Sequence, residues 1–211
     1  MSDKPQLQIA VLSDYICPFC YIGYLRLEKL RRHFDLAVNW VLVEIHPESP
    51  PEGKPVGELG YPRKHLDRLL EQLGELARIE GGELAPHAFT TNSRRALLLA
   101  EAAKQHGPDV FYTLHRRLFE AFLLEGRNIG DTQVLETLAE ACGVPGDTVE
   151  KAWREPVYEQ TLQRNLAAAA KIGATATPTF FIGDQRLTGA VPVDELLGAA
   201  RASLAAGENV R

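Results

Sequence analysis

The sequence predicts an α/β core built from the two ends of the chain, with an all-helical block inserted between them. Three observations lead there. Residues 7–45 read strand, helix, strand; residues 179–204 read hairpin then helix; residues 63–172 carry helical periodicity throughout.

The opening strand is the short apolar run 7–13, with Ile9 and Val11 among its β-branched residues. A loop through Asp14 and Tyr15 leads to a cysteine pair, and Ile22, Leu25, Leu27 and Leu30 then form one face of a helix over 21–34. Residues 36–45 predict a second strand, so the opening is a βαβ unit whose strands run parallel with a right-handed crossover. Residues 46–62 hold five prolines and three glycines, which predicts a connecting loop and a boundary. Helices are expected over 63–79, 92–106 (capped by Asn92 or Ser93), 109–124, 131–142 (capped by Asp131), 147–153 and 155–172. Strands over 179–182 and 185–188 flank Gly183-Asp184, a two-residue hairpin signal. A helix over 193–204 closes the chain. The domain assignment is therefore a discontinuous core of 1–46 and 174–211 and a helical insertion of 47–173.

With 211 residues, the chain can bury a sizeable core without disulfide staples. A net charge of -5 argues against nucleic acid and anionic membranes, which ask for a basic patch. The Arg31-Arg32 and Arg116-Arg117 pairs read as solvated helix faces. The N-terminal residues show no basic head with an apolar core, and no apolar run is long enough to span a bilayer, so a cytoplasmic location is expected. Three cysteines, an odd and low count, do not form a secreted disulfide framework.

The chemistry sits in Cys17-Pro18-Phe19-Cys20. A Cys-x-x-Cys after a strand and at a helix start places Cys17 where unpaired N–H groups favour a thiolate, the species that attacks a disulfide. Pro18 suits the first helical position. Cys20 falls one turn on, within disulfide reach, with Cys17 exposed at the tip and Cys20 facing inward. The same spacing is also a zinc half-site, but Cys142 stands alone and no histidine pair accompanies it. No metal, nucleotide or flavin motif is present. Cys142 reads as a small buried hydrophobe, and Trp40, Phe111, Tyr112, Phe119 and Phe122 as core. His46 reads as a surface residue that could reach the active-site face. Thr177-Pro178, entering the strand at Thr179, is weak alone and gains meaning from its place before the hairpin.

Taken together, the run from Ser13 to Gly23, the segment Thr91-Asn92-Ser93-Arg94-Arg95-Ala96 and the run from Gly173 to Ile182 resemble the thioredoxin superfamily. They are closest to its DsbA-like branch with a helical insertion, and within it to FrnE-like proteins. The resemblance covers about Leu7 to Leu204. It implies a thioredoxin-like α/β fold with an inserted all-helical domain. It also implies that Pro178 is a cis-proline facing the cysteines, and that Thr177 pairs with an extended substrate beside Pro18 and Phe19. A helical domain capping the site is part of the same implication, with Phe119 and Phe122 as candidates to line it.

Three departures matter. Phe19 stands where the DsbA oxidant has a histidine, which predicts a less acidic thiol and a weaker oxidant. The expected potential lies on the order of -170 to -240 mV, between that of DsbA and that of thioredoxin. Thr177 replaces the frequent valine, as in disulfide isomerases. Val11 occupies the position of the usual buried acid, leaving Asp14 and Glu44 as the carboxylates nearby in sequence. The expected function is dithiol–disulfide exchange on protein or peptide disulfides, with Cys17 as nucleophile and Cys20 resolving. Glutathione or a thioredoxin system is the candidate reductant, no cofactor is required, and a monomer or homodimer would serve. Two alternatives are a glutathione-dependent isomerase or transferase of the 2-hydroxychromene-2-carboxylate isomerase type and a non-catalytic peptide-binding module.

Overall fold

A computed structural model describes residues 4–81, 84–85 and 89–208. The N-terminal residues 1–3 of the signal-sequence reading and residues 209–211 of the expected core lie outside these. Strand β1 (Gln6–Ser13) is central because nearly every second residue from Leu7 on is apolar and buried. It pairs in parallel with β2 (Asp35–Leu42), from Gln6 opposite Asp35 to Ser13 opposite Leu42. On its other side it pairs antiparallel with β5 (Thr179–Ile182), which forms a hairpin with β6 (Gln185–Thr188). The sheet order is β2-β1-β5-β6. Gly183 takes a positive φ in the hairpin turn, a conformation glycine adopts without steric cost.

Helix α1 (Pro18–Leu30) connects the two parallel strands and is buried on most of its circumference. It packs against α8 (Val193–Glu208) and against α2 (Arg63–Ile79), the first helix of the inserted block. The remaining helices are α3 (Arg94–Ala103), α4 (Pro108–Leu123), α5 (Thr132–Ala141), α6 (Gly146–Arg154) and α7 (Pro156–Lys171). The Asp131 carboxylate caps α5, accepting from Gln133 N at 2.8 Å. One apolar core runs through both parts of the molecule, from Leu7 and Trp40 to Leu114, Phe119 and Leu138.

Several local expectations need correction. Helix α1 begins at Pro18, as that proline predicts, but ends at Leu30, short of the expected residue 34. Strand β2 stops at Leu42, three residues early, because the Ile45 amide turns to the Asp14 carboxylate instead of a ladder partner. The proline-rich connector is not structureless. It carries β3 (Lys54–Pro55), paired antiparallel with β4 (Phe89–Thr90), and a 3₁₀ turn over Val56–Leu59. Ser93 precedes α3 but its side chain does not cap it; Asn92 Oδ1 accepts from Arg94 N at 3.0 Å.

A buried ion pair fastens the inserted block to α1. Arg26 Nε donates to Glu80 Oε1 at 2.8 Å, and Arg26 Nη1 donates to the carbonyls of Ala190 and Val191. The Glu80 side chain is 2% exposed, so its charge depends on Arg26 and Lys29.

Candidate active site

The loop between β1 and α1 is a tight turn that Asp14 holds at both ends. Asp14 Oδ1 accepts from Ile16 N at 3.3 Å, and its main-chain carbonyl accepts from Cys17 N at 3.2 Å. Aspartate suits the first position of such a turn because its short side chain reaches the amide two residues on. Tyr15, fully buried, anchors the middle of the loop through a 2.8 Å hydrogen bond to His115 Nδ1 on α4. Trp40, Tyr24, Phe111 and Phe119 surround His115. That burial pushes its pKa down to about 3, so the imidazole is neutral and its Nδ1 can accept a hydrogen bond from the tyrosine hydroxyl.

Cys17 follows in an extended conformation as the N-cap of α1, with Pro18 in the first turn. Its carbonyl accepts the first helical bonds, from Cys20 N at 3.0 Å and Tyr21 N at 3.4 Å. The Cys17 thiol lies 3.6 Å from the Thr177 carbonyl and donates to it. The Thr177–Pro178 bond is cis, and Pro178 packs over Gly23 of α1. Thus Cys17, Cys20, Pro18, Thr177 and Pro178, far apart in sequence, converge at one end of the sheet. Phe19 is half-buried beside them.

The surroundings push the two thiols in opposite directions. A hydrogen bond from Cys20 is the main influence holding Cys17 below the usual thiol range, against the cost of burial, with a second contribution from the Thr177 side chain. Burial pushes Cys20 well above that range, and the neighbouring Cys17 adds to the effect. The Ser13 hydroxyl and the Asp14 main chain partly offset this at Cys20. Residue 19 supplies no charge-assisted partner, so Cys17 owes its acidity to Cys20 and Thr177.

The expectation that Cys17 is exposed is not met. Cys17 is 5% exposed and Cys20 1%. The cover is a cavity of about 540 Å³ over Cys17, walled by Leu66, Leu70 and Leu73 of α2 and by Tyr61 and Phe122. His46 lines the same cavity, so it does reach the active-site face. Phe122 lines it too, while Phe119 is wholly inside the core against Tyr15 and Tyr21. The described lining residues include no lysine or arginine; Glu44, held by Arg94 and Asn92, is the carboxylate among them. Sequence reasoning had no signal for Ser13, nor for the Tyr15–His115 bond, which joins residues 100 positions apart.

Cys142 is buried at the C-terminus of α5, and burial raises its pKa. Among the described residues no cluster of His, Cys, Asp or Glu could hold a metal, and no helix is long and apolar enough to cross a membrane.

The Bacillus subtilis protein YwbO, itself uncharacterized, is 31% identical over 195 residues, covering 89% of this chain and 92% of its own. A probable DsbA oxidoreductase from Streptomyces coelicolor superposes with a TM-score of 0.83 at 22% identity, covering 95% of this chain and 91% of that one. A 2-hydroxychromene-2-carboxylate isomerase superposes at 0.78 with 19% identity, covering 97% and 100%. The cytosolic disulfide reductase DsbM from Pseudomonas aeruginosa, solved with GSH, superposes at 0.65 with 19% identity, covering 96% and 98%. At these identities the three structures share the fold. The model of the DSBA-like thioredoxin domain matches residues 8–201. With its sheet and its cysteine-bearing helix arranged as described, the chain belongs to the DSBA-like thioredoxin domain family.

Proposed function

We propose that the protein is a thiol–disulfide oxidoreductase, working as a reductase or isomerase on protein or peptide disulfides. The observation that carries this reading is geometric: Cys17 is the N-cap of α1 with its thiol on the Thr177 carbonyl beside the cis Thr177–Pro178 bond, and Cys20 lies one helical turn on. The Cys17 thiolate attacks a substrate disulfide and expels one substrate thiolate, which takes up a proton. Cys20 then loses its proton and attacks the Cys17 sulfur. The second substrate thiolate leaves, and a Cys17–Cys20 disulfide remains. The substrate gains two electrons and the protein loses them, to be restored by an external dithiol. In isomerisation a second substrate thiol displaces Cys17 and no net electrons move. Thr177 and Pro178 would position the substrate chain, with Pro18 and Phe19 against it. A cytoplasmic setting fits the odd, low cysteine count.

The glutathione-dependent isomerase reading is less well supported. Glutathione carries two carboxylates, and the described residues lining the cavity offer no lysine or arginine to meet them. Such chemistry also has no use for a second cysteine. Equilibration of the protein against a glutathione redox buffer, read by mass after alkylation, tests the choice. A Cys17/Cys20 couple on the order of -170 to -240 mV is expected. A couple as oxidising as DsbA, or glutathione-dependent isomerase turnover that survives Cys20→Ser, would overturn it.

A further inference from the structure

His46 stands on a frame tied to the cysteine loop. The Ile45 amide, one residue before it, donates to Asp14 Oδ2 at 2.9 Å, and the Asp14 main-chain carbonyl accepts from Cys17 N at 3.2 Å. One residue thus joins the exit of β2 to the start of α1, and His46 and Cys17 line the same cavity. On the other side the His46 carbonyl accepts from Ser49 N at 3.0 Å, closing a turn that brings Glu48 back against the ring. Glu48 Oε1 lies 3.1 Å from His46 Nδ1, and Lys54 Nζ of β3 lies 3.6 Å from the same oxygen. Its own main-chain N–H, with help from His46 and Lys54, holds Glu48 below the usual carboxylate range. A carboxylate can only accept, so Nδ1 carries a hydrogen and Nε2 is the nitrogen left to exchange a proton. The His46 ring also meets Tyr61 edge to face, at 6.2 Å between centroids.

Disulfide exchange in this cavity has a charge to place. When Cys17 attacks, the electron pair of the broken S–S bond goes to the far sulfur, on the side away from Cys17. That sulfur is expelled into a space walled largely by Leu66, Leu70, Leu73 and Phe122, where an unpaired anion is costly. Cys20 and Thr177 act on the attacking sulfur and not on the departing one. Glu44 is no help, being an acid whose own partners, Arg94 and Asn92, are turned toward it. Among the described lining residues His46 is the one that can carry a positive charge, and imidazole is the side chain that trades a proton near neutral pH. The titratable and charged groups around it are Glu48 on its own turn, Lys54 of β3, Glu44 beyond β2, Cys17 across the cavity, Tyr61 and, behind Tyr61 on α2, the exposed His65.

We infer that His46 is the general acid of the exchange, protonating the substrate sulfur that Cys17 expels. The Cys17 sulfur bonds to the near sulfur, the S–S bond breaks, and its electron pair takes the Nε2 proton of the His46 imidazolium. A substrate thiol and a neutral imidazole remain, and the ring regains its proton from solvent. In the reverse sense, neutral His46 removes the proton of a substrate thiol as that thiol attacks the mixed disulfide, which is the step isomerisation needs. Glu48 is a positioning residue that fixes the tautomer and orientation of the ring. The inference rests on the function proposed above and assigns the proton that its first step requires.

The test varies the leaving group. Reduced protein is mixed with a peptide disulfide, whose alkyl thiol leaves poorly without a proton, or with the uncharged aromatic disulfide dithiodipyridine, whose acidic thiol leaves without one. His46→Gln should slow exchange with the peptide by about tenfold or more and leave the rate with dithiodipyridine in place. Glu48→Gln should show the same selectivity with a smaller loss. A residue that only shapes the cavity would slow both reactions alike. Should His46→Gln fail to fold, the wild-type pH profiles decide. The peptide rate should rise with the Cys17 thiolate and fall again as His46 loses its proton, while the dithiodipyridine rate rises and levels off; profiles of one shape would overturn the inference. A wild type that exchanges both disulfides, with His46→Gln unchanged or slowed equally on both, overturns the inference alone. A wild type that reacts with dithiodipyridine and not with peptides overturns the proposed function, and this inference with it.

Discussion

Gly23 lies in the middle of α1, where alanine would normally be favoured by roughly 0.8–1 kcal/mol. The structure reverses that preference. A Cβ at Gly23 would sit 2.8 Å from Phe180 Cζ and 3.2 Å from Pro178 Cγ. Phe180 would have to retreat by about 0.6 Å to restore an ordinary 3.4 Å contact, yet it is fully buried on β5 with no room behind it. Overpacking of this kind costs about 1–3 kcal/mol, so Gly23→Ala should destabilise the protein by about 1 kcal/mol net. Gly74 in α2 and Gly198 in α8 are exposed helical glycines with nothing within 4 Å of the same added atom. There alanine should stabilise by about 0.5–1 kcal/mol. Urea unfolding of the three variants measures the contrast. Because Pro178 adjoins Thr177, whose carbonyl receives the Cys17 thiol, Gly23→Ala should also slow insulin reduction. If Gly23→Ala stabilises as much as Gly198→Ala and leaves the rate unchanged, the packing of α1 on the Pro178 loop has been misjudged.

Arg26→Met leaves Glu80 buried with only Lys29 as partner and should cost about 3 kcal/mol in urea unfolding, whereas Lys151→Met, in an exposed pair, should have no measurable effect. Thr177→Val removes the side-chain hydroxyl that favours the Cys17 thiolate, so the midpoint of Cys17 alkylation should rise; an unchanged midpoint would assign that acidity to Cys20 alone. Stability should depend on pH through two opposed groups. The raised pKa of Asp14 gives a contribution complete below about 3.8 and lost as pH rises through about 7. The depressed pKa of His115 gives one complete above about 6.5 and lost as pH falls toward about 3. Relative to Asp14→Asn, the wild type should therefore gain on the order of 2–4 kcal/mol between pH 7.5 and 4, and parallel curves would contradict the assignment.

Much of this fold is legible in sequence because its signals are local. The alternation from Leu7, the cap at Asp131 and the Gly183-Asp184 turn each sit within a few residues of the structure they produce. The same holds for Pro18, which starts α1 because it needs no amide partner there. What fails is set by contacts distant in sequence. Residues 43–45 have strand composition, but the Ile45 amide is captured by Asp14. Ser93 reads as a helix cap, but a buried carboxylate 79 positions away takes its hydroxyl. Cys17 reads as exposed because nothing local shows that α2 folds over it. The spacing of Cys17 and Cys20 points to the proposed chemistry, while the influence of Thr177 and Ser13 on the two thiols emerges only once the chain ends are brought together.

The most direct test of the proposed chemistry is to trap its intermediate. Cys20→Ser protein is incubated with a peptide disulfide, the remaining thiols are blocked, and the adduct is located by peptide mass. One peptide should be attached, through Cys17, and it should accumulate because no thiol remains one turn away to release it. Attachment at Cys142, or the absence of any adduct from protein whose Cys17 still alkylates at neutral pH, would contradict nucleophilic disulfide exchange at Cys17.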